Sequence, residues 1–76
     1  MPRAKLPALR SERIVRSLVA CGLTIIRQRG SHVVLMKPGL RRPVVVPQHK
    51  RELPPHTIAD ILSQAEVSEE QFLEHL

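Results

Sequence analysis

The sequence predicts a small α+β domain with the element order α-β-β-β-α, in which two helices cover one face of a three-stranded antiparallel sheet. One segment near each end of the chain repeats apolar residues at helical spacing, and three short β-branched or aliphatic runs lie between these segments. Both helices must bury an apolar stripe, and the sheet offers them a shared face. The chain has 76 residues, so we expect a single domain over residues 1–76 with no large enclosed substrate cavity.

The first helix is predicted to begin at Ser11, a favourable N-cap residue, and to end at Gly22, which suits the C′ position. Its apolar residues fall on one half of a helical wheel and comprise Ile14, Val15, Leu18, Val19 and Cys21. Residues 1–9 precede this helix as a flexible basic arm, because Pro2 and Pro7 disfavour helix there.

Three strands are predicted after the first helix. Residues 23–29 and 32–37 form a hairpin that reverses at Gly30, and residues 42–46 form the third strand. Pro43 lies within the third run, and it indicates a free edge because proline cannot donate a hydrogen bond to a ladder. The resulting sheet is small and antiparallel.

The second helix is predicted from an apolar stripe at i, i+3, i+4 and i+7, formed by Ile58, Ile61, Leu62 and Ala65. A polar, proline-bearing loop over residues 48–55 leads to this helix and carries His49. Ser68 and Gln71 form a capping box, which predicts a short C-terminal helix within residues 67–76.

Side-chain alternation defines the two faces of the second strand. Val34 and Met36 share a face with His32, whereas Val33 and Leu35 point to the other face. Since the helices cover only one face, we expect the face of His32 to be open. An exposed apolar patch of Val34 and Met36 beside a functional histidine would indicate a surface for a partner.

Charge is distributed unevenly along the chain. All 12 Lys and Arg residues lie at or before Arg51, whereas six of the seven acidic residues follow it. This distribution is typical of a protein that meets phosphates on one side, although a solvated basic surface would have the same composition. Phe72 is the only aromatic residue, so a nucleic acid would be held mainly through its backbone rather than by base stacking.

The cysteine and histidine content excludes several classes of site. Cys21 is the only cysteine, so an intramolecular disulfide is impossible and we expect the thiol to be a packing residue. The four histidines include no pair at i, i+4 spacing and have no cysteine pair beside them, so we expect no metal and no cofactor. The sequence has no apolar run that would span a bilayer and no signal-peptide pattern, and we expect a soluble cytoplasmic protein with no membrane partner.

The most informative motif is the turn that joins the first two strands. Gly30 gives the backbone freedom for a tight reversal, and Ser31 and His32 present a hydroxyl and an imidazole directly after it. An imidazole can exchange protons near neutral pH. Arg27 and Arg29 precede the turn, which favours an anionic substrate.

Three segments together carry a family resemblance: residues 27–32, residues 46–49 and the helix over residues 58–65. In this order and at this size the chain resembles the HicA (YcfA-like) mRNA interferase toxins. The resemblance implies a double-stranded-RNA-binding-domain-like fold, cleavage of mRNA, and inhibition by a HicB-type antitoxin protein that covers the active face. It also implies that His32 is the catalytic histidine.

The chain departs from the pattern of that family at three positions. Leu23 stands where many relatives have an aromatic residue, and His56 stands where they have a glycine at the start of the second helix. Val33 stands where relatives often carry a second histidine, which removes one conceivable proton-transfer partner of His32.

Cleavage of RNA without metal needs a base for the ribose 2′-OH, an acid for the leaving oxygen and cations for the phosphate. We expect His32 to fill one proton-transfer role in such a metal-independent endoribonuclease toxin. Ser31 shapes the turn rather than acting as a nucleophile, because no base and carboxylate accompany it. The candidate RNA-binding residues are Arg27, Arg29, Ser31, Lys37, Arg42 and His49, the last being also a candidate second functional group.

Two alternatives remain open from the sequence. A non-catalytic module of the same fold could grip double-stranded RNA by shape and phosphate without cutting it. A structural or adaptor domain could use the apolar sheet face to bind another protein, and it would then have no salt-dependent affinity for RNA.

Overall fold

The computed structural model of the protein describes residues 6–76. Its elements are α1 (Ser11–Ala20), β1 (Thr24–Arg29), β2 (His32–Met36), β3 (Val44–Pro47), α2 (Pro55–Ala65) and α3 (Glu69–Glu74). The predicted α+β class, the α-β-β-β-α order and the short terminal helix are confirmed.

The three strands form one antiparallel sheet in the order β1-β2-β3. Both β1 and β3 are therefore edge strands, and the free edge that Pro43 predicts for the third strand is present. Pro43 precedes β3 instead of lying within it, because the strand predicted over residues 42–46 begins at Val44 and ends at Pro47. A β-bulge interrupts the pairing of β1 with β2 between Ile25 and Arg27.

One face of the sheet is covered by helices. Val33 and Leu35 of β2 and Val44 and Val46 of β3 are buried on this face, and α1 and α2 both pack against β3. The three helices contribute further residues to the same core, namely Ile14 and Leu18 of α1, Ile58, Ile61, Leu62 and Ala65 of α2, and Phe72 of α3. The alternation predicted for β2 is thus confirmed, and the face that carries His32 is left without a covering helix.

The end of α1 follows the predicted glycine motif. Gly22 has a φ of 106°, and the Leu23 N–H donates to the Leu18 carbonyl oxygen at 3.1 Å. This is the Schellman arrangement, in which a left-handed residue lets the chain turn back over the last helical carbonyls. The capping box is also confirmed, since the Ser68 hydroxyl accepts from the Gln71 N–H at 3.0 Å.

Two details at the start of the chain differ from the sequence-based expectations. Ser11 is not the N-cap of α1, because Arg10 holds that position and its side chain makes no capping hydrogen bond. Residues 1–5 of the predicted basic arm lie outside the described residues. Leu9, at the other end of that predicted arm, is buried and pairs with Leu53 through backbone hydrogen bonds of 3.1 and 2.7 Å.

Candidate active site

The hairpin turn between β1 and β2 presents His32 to solvent. Gly30 has a φ of 55°, in the left-handed region that favours glycine, and this conformation lets the chain reverse between the two strands. His32 is the first residue of β2 and is exposed. The Ser31 hydroxyl lies 3.4 Å from the Nδ1 atom of His32, so the imidazole has a polar neighbour from the turn itself.

Two arginines share the face of His32. Arg29 is the ladder partner of His32 and Arg27 is the partner of Val34, and residues directly opposite each other in a ladder point to the same face with Cβ atoms about 4.5–5.5 Å apart. Both arginines are exposed. Within residues 6–76 the one ion pair joins Arg10 to Glu12, so the guanidinium groups of Arg27 and Arg29 are available to an anionic ligand.

The other neighbour of His32 is the end of β3. Pro47 is the ladder partner of His32, and the next N–H along the chain, that of Gln48, donates to the Ser31 carbonyl oxygen at 2.6 Å. A proline is tolerated opposite His32 because the backbone nitrogen of Pro47 faces the free edge of β3 and not β2. The turn and the end of β3 are therefore fixed to each other.

The hydroxyl of Ser11 binds the backbone at the free edge of β3, where this strand ends. This hydroxyl donates to the Pro47 carbonyl oxygen at 2.7 Å and accepts from the His49 N–H at 3.2 Å. The residue is 3% exposed. Sequence reasoning missed this role, because a serine at the start of a helix is ordinarily interpreted as a cap.

The predicted RNA-binding residues fall into two groups. Arg27, Arg29 and Ser31 lie on β1 and the turn beside His32, and His49 follows the end of β3. Lys37 follows the far end of β2, five residues from His32, which corresponds to about 17 Å along a strand. There the Lys37 ammonium donates to the Glu66 carbonyl oxygen at 3.2 Å.

Arg42 lies with Lys37 at the far end of the sheet. It lines an open groove of about 630 Å³ together with Arg41, Pro43, Gln64 and Glu66. Arg41 was not among the predicted contacts, although its position beside Arg42 in the sequence is the signal that could have identified it. The structure thus places a second basic region well away from the turn.

The centre of the open sheet face is apolar. Val34 and Val45 are ladder partners there, with Val34 half-buried and Val45 42% exposed. Met36 is half-buried on the same face. The predicted apolar patch beside His32 is present in part, since Met36 also packs against the buried core, and Val45 extends the patch onto β3.

Two residues that could have served the site are part of the core instead. Phe72 is fully buried, so it cannot stack against a base. Cys21 packs against the core, its thiol donates to the Gln71 carbonyl oxygen at 3.7 Å, and burial raises the pKa of the thiol above its ordinary value. Its predicted packing role is confirmed.

The remaining histidines lie apart from the sheet. His56 is exposed in the first turn of α2, and His75 follows the end of α3. Across the part of the chain that the structure describes, no three side chains of His, Cys, Asp or Glu are grouped as metal ligands would be. The same residues include no helix with the length and apolar character needed to cross a bilayer.

Comparison with known proteins identifies the family. A family model described as the HicA toxin of bacterial toxin-antitoxin systems matches residues 11–67, a span that covers α1, the whole sheet and α2. No curated protein sequence matches the chain significantly. Because the family match extends over well more than half of the 76 residues, the chain belongs to the HicA toxin family, which gives it the role of a toxin and implies an antitoxin as its partner.

Proposed function

We propose that this toxin is an endoribonuclease that cleaves mRNA without a metal ion and uses His32 as its catalytic histidine. The observation that carries this proposal is the exposed imidazole of His32 with Arg29 directly opposite it and Arg27 two residues further along the same face of β1. Cleavage of a phosphodiester requires a base, an acid and cations for the phosphate, and this open surface supplies one proton-transfer group and two cations.

The chemistry follows from these groups. The ribose 2′-oxygen attacks the adjacent phosphorus once its proton has been removed, and charge develops on the phosphate oxygens as the bond to the 5′-oxygen breaks. His32 exchanges one of the two protons. Arg29 and Arg27 donate charge-assisted hydrogen bonds to the phosphate oxygens, where planar guanidinium groups bind in a bidentate manner.

The RNA is held through its backbone. Phe72, the only aromatic residue of the chain, is buried, so recognition depends on phosphate contacts. The region of Lys37, Arg41 and Arg42 lies about 17 Å from the turn, which is roughly five nucleotides of a stacked strand at about 3.4 Å each. Such a grip by phosphate and shape fits the double-stranded-RNA-binding-domain-like fold that the family resemblance implies.

The partner is a HicB-type antitoxin that covers the active face. The apolar patch of Val34, Met36 and Val45 lies on the same face as His32 and the two arginines. A protein that buried this patch would also exclude RNA from the turn, because both occupy one surface. We expect the toxin to act in the cytoplasm, where its mRNA substrate is located.

The test is cleavage of a mixed mRNA by the purified protein, in the presence of a chelator, compared with two single-histidine variants. We expect the wild-type protein and the His56→Ala control to cut, because His56 lies on α2 away from the sheet. The His32→Ala variant should bind RNA and not cut it. Binding without cleavage by all three proteins would instead support a non-catalytic RNA-binding module, and cleavage by His32→Ala would overturn the assignment of the histidine.

A further inference from the structure

We propose that His49 is the second proton-transfer group of the cleavage reaction and that Ser11 is the positioning residue that holds it on the face of His32. This inference rests on the proposed nuclease function, which leaves the second acid or base unassigned. It concerns a segment just beyond β3, where the ladder formally ends at Pro47.

The hydrogen bonds made by residues 47–49 indicate that the extended backbone of β3 continues as far as His49. The Gln48 N–H points to β2 and donates to the Ser31 carbonyl oxygen, whereas the His49 N–H points the other way and donates to the Ser11 hydroxyl. Successive N–H groups that point to opposite sides are the pattern of a β-strand. Side chains must therefore alternate between the two faces along this segment.

The alternation places His49 on the face of His32. Pro47 is the ladder partner of His32 and shares its face. Gln48 lies on the opposite face, since it lines a groove of about 370 Å³ with Val15 of α1 and the buried Val33. The next residue, His49, returns to the face of Pro47, and its side chain is exposed there.

Ser11 takes the place of a neighbouring strand at the free edge of β3. A hydroxyl has one donor and two acceptor sites, and this one uses both functions, towards the Pro47 carbonyl oxygen and the His49 N–H. A paired strand would bind the same two backbone groups. Ser11 is buried at the beginning of α1. Its two hydrogen bonds therefore hold the backbone of His49 in a fixed position relative to that helix.

The two imidazoles are suitably spaced for one phosphodiester. Residues diagonal to each other across an antiparallel ladder lie about 7–8 Å apart, and both side chains extend from the same face. Among the described residues, the other two histidines lie on or after the helices. His49 is therefore the histidine that the fold brings to the turn.

The reaction balances with these two groups. One neutral imidazole removes the proton of the 2′-OH as the bond from O2′ to phosphorus forms. The other, as imidazolium, gives its proton to the 5′-oxygen as the bond from phosphorus to that oxygen breaks. The products are a 2′,3′-cyclic phosphate and a 5′-hydroxyl, and water returns the two histidines to their starting protonation states.

The first test uses the full chain and a short RNA as substrate. We expect His49→Ala and His49→Gln to lower kcat by about 10²–10⁴-fold, the range of a lost general acid or base, with KM nearly unchanged. One limb of the pH profile of kcat should disappear, and His56→Ala should match wild type. An unchanged kcat with both limbs kept would overturn the role of His49, as would an effect on KM alone.

The second test uses a ribonucleotide 3′-ester with a nitrophenyl leaving group, which needs no acid. The histidine that acts as the acid is not needed for this substrate. The alanine variant of that histidine should therefore cleave the ester at close to the wild-type rate, whereas the alanine variant of the other histidine should remain slow. If both alanine variants cleave the ester at the wild-type rate, or if neither does, His32 and His49 do not act as one base and one acid. Failure of the wild-type protein to cleave ordinary RNA would refute the nuclease function itself, which is a different outcome from normal activity of His49→Ala alone.

The positioning role of Ser11 has its own readout. We expect Ser11→Ala to lower kcat by about tenfold while both limbs of the pH profile remain, because the proton-transfer groups are present but misplaced. Ser11→Thr keeps the hydroxyl and should restore kcat. If Ser11→Ala changes thermal stability but leaves kcat of the folded protein unaltered, Ser11 has no positioning role.

Discussion

The hydroxyl of Ser17 donates a hydrogen bond of 2.6 Å to the carbonyl oxygen of Phe72, and both residues are fully buried. This bond joins α1 to α3, which lies beyond the span matched by the family model. Since Phe72 also fills the core, α3 is a structural part of the domain that the sheet and the first two helices form.

We expect Ser17→Ala to lower the free energy of unfolding by about 1–2 kcal/mol, the cost of removing one partner of a buried hydrogen bond. Urea denaturation of the folded protein measures this loss as a lower midpoint with the same slope. Ser63→Ala is a matched control, because Ser63 is exposed on α2. Equal midpoints for the two variants would mean that the Ser17 bond contributes nothing.

Arg29 has a predicted role that can be separated from stability. Its guanidinium lies opposite His32, and a hydrogen bond to a charged group contributes about 1.5–3 kcal/mol, so we expect Arg29→Ala to lower kcat/KM for RNA by about tenfold or more. Arg13→Ala is the control, since Arg13 is exposed on α1. Measurement at several salt concentrations should give a weaker salt dependence for Arg29→Ala. Equal losses in both variants would indicate only a general effect of net charge.

The turn itself can be tested at Gly30. A Cβ atom added there would meet no heavy atom within 4 Å, so the requirement for glycine comes from its φ of 55°. We expect Gly30→Ala to lower the free energy of unfolding by about 1–2 kcal/mol, and Gly30→Asn to lower it less because asparagine tolerates this conformation. Thermal unfolding of the two variants compares them directly. An alanine variant as stable as wild type would show that the turn has a different conformation.

The elements of this fold could be predicted because their signals are local. The stripe of Ile58, Ile61, Leu62 and Ala65 and the alternation along β2 are properties of short segments, and Gly22 and Ser68 mark helix ends by their own chemistry. The β-bulge at Ile26 could not be predicted, since two adjacent isoleucines are equally compatible with a regular strand. Arg27, after the bulge, pairs with Val34 and lies on the open face. Ile25, before the bulge, lines the groove beside α1.

The candidate site was predictable only in part. The turn motif predicts His32 as the candidate catalytic residue, and the hairpin register places Arg29 opposite it and Arg27 on the same face. The contact of Ser11 with Pro47 spans 36 residues, and no spacing rule connects residues so far apart. In the sequence, charge alone groups Lys37 and Arg42 with the turn, whereas in the fold the length of β2 separates them from it.

Cys21 offers a test that depends on pH. Burial raises the pKa of its thiol, so at mildly alkaline pH the folded chain carries less thiolate than the unfolded chain. We expect a thiol reagent to react with the folded protein more slowly than with the protein in urea, since thiolate is the reactive form. The unfolded chain loses this proton first as the pH rises, so the contribution of Cys21 to stability is present below the unfolded pKa and declines above it. Equal reaction rates in the folded and unfolded protein would contradict the burial of the thiol.

Glu66 is the one described residue other than glycine with a positive φ, 55°, and it lies directly after α2. An L-residue pays about 1–2 kcal/mol for this left-handed conformation, and glycine does not, so we expect Glu66→Gly to raise the free energy of unfolding by about 0.5–1 kcal/mol. Glu66→Ala removes the carboxylate but keeps the Cβ atom. We therefore expect its free energy of unfolding to be no higher than that of the wild-type protein. Urea denaturation of both variants separates the two causes: a gain in both would assign the effect to removal of a negative charge from the C-terminal end of α2, where the helix dipole disfavours it, whereas a gain in the glycine variant alone assigns it to the backbone.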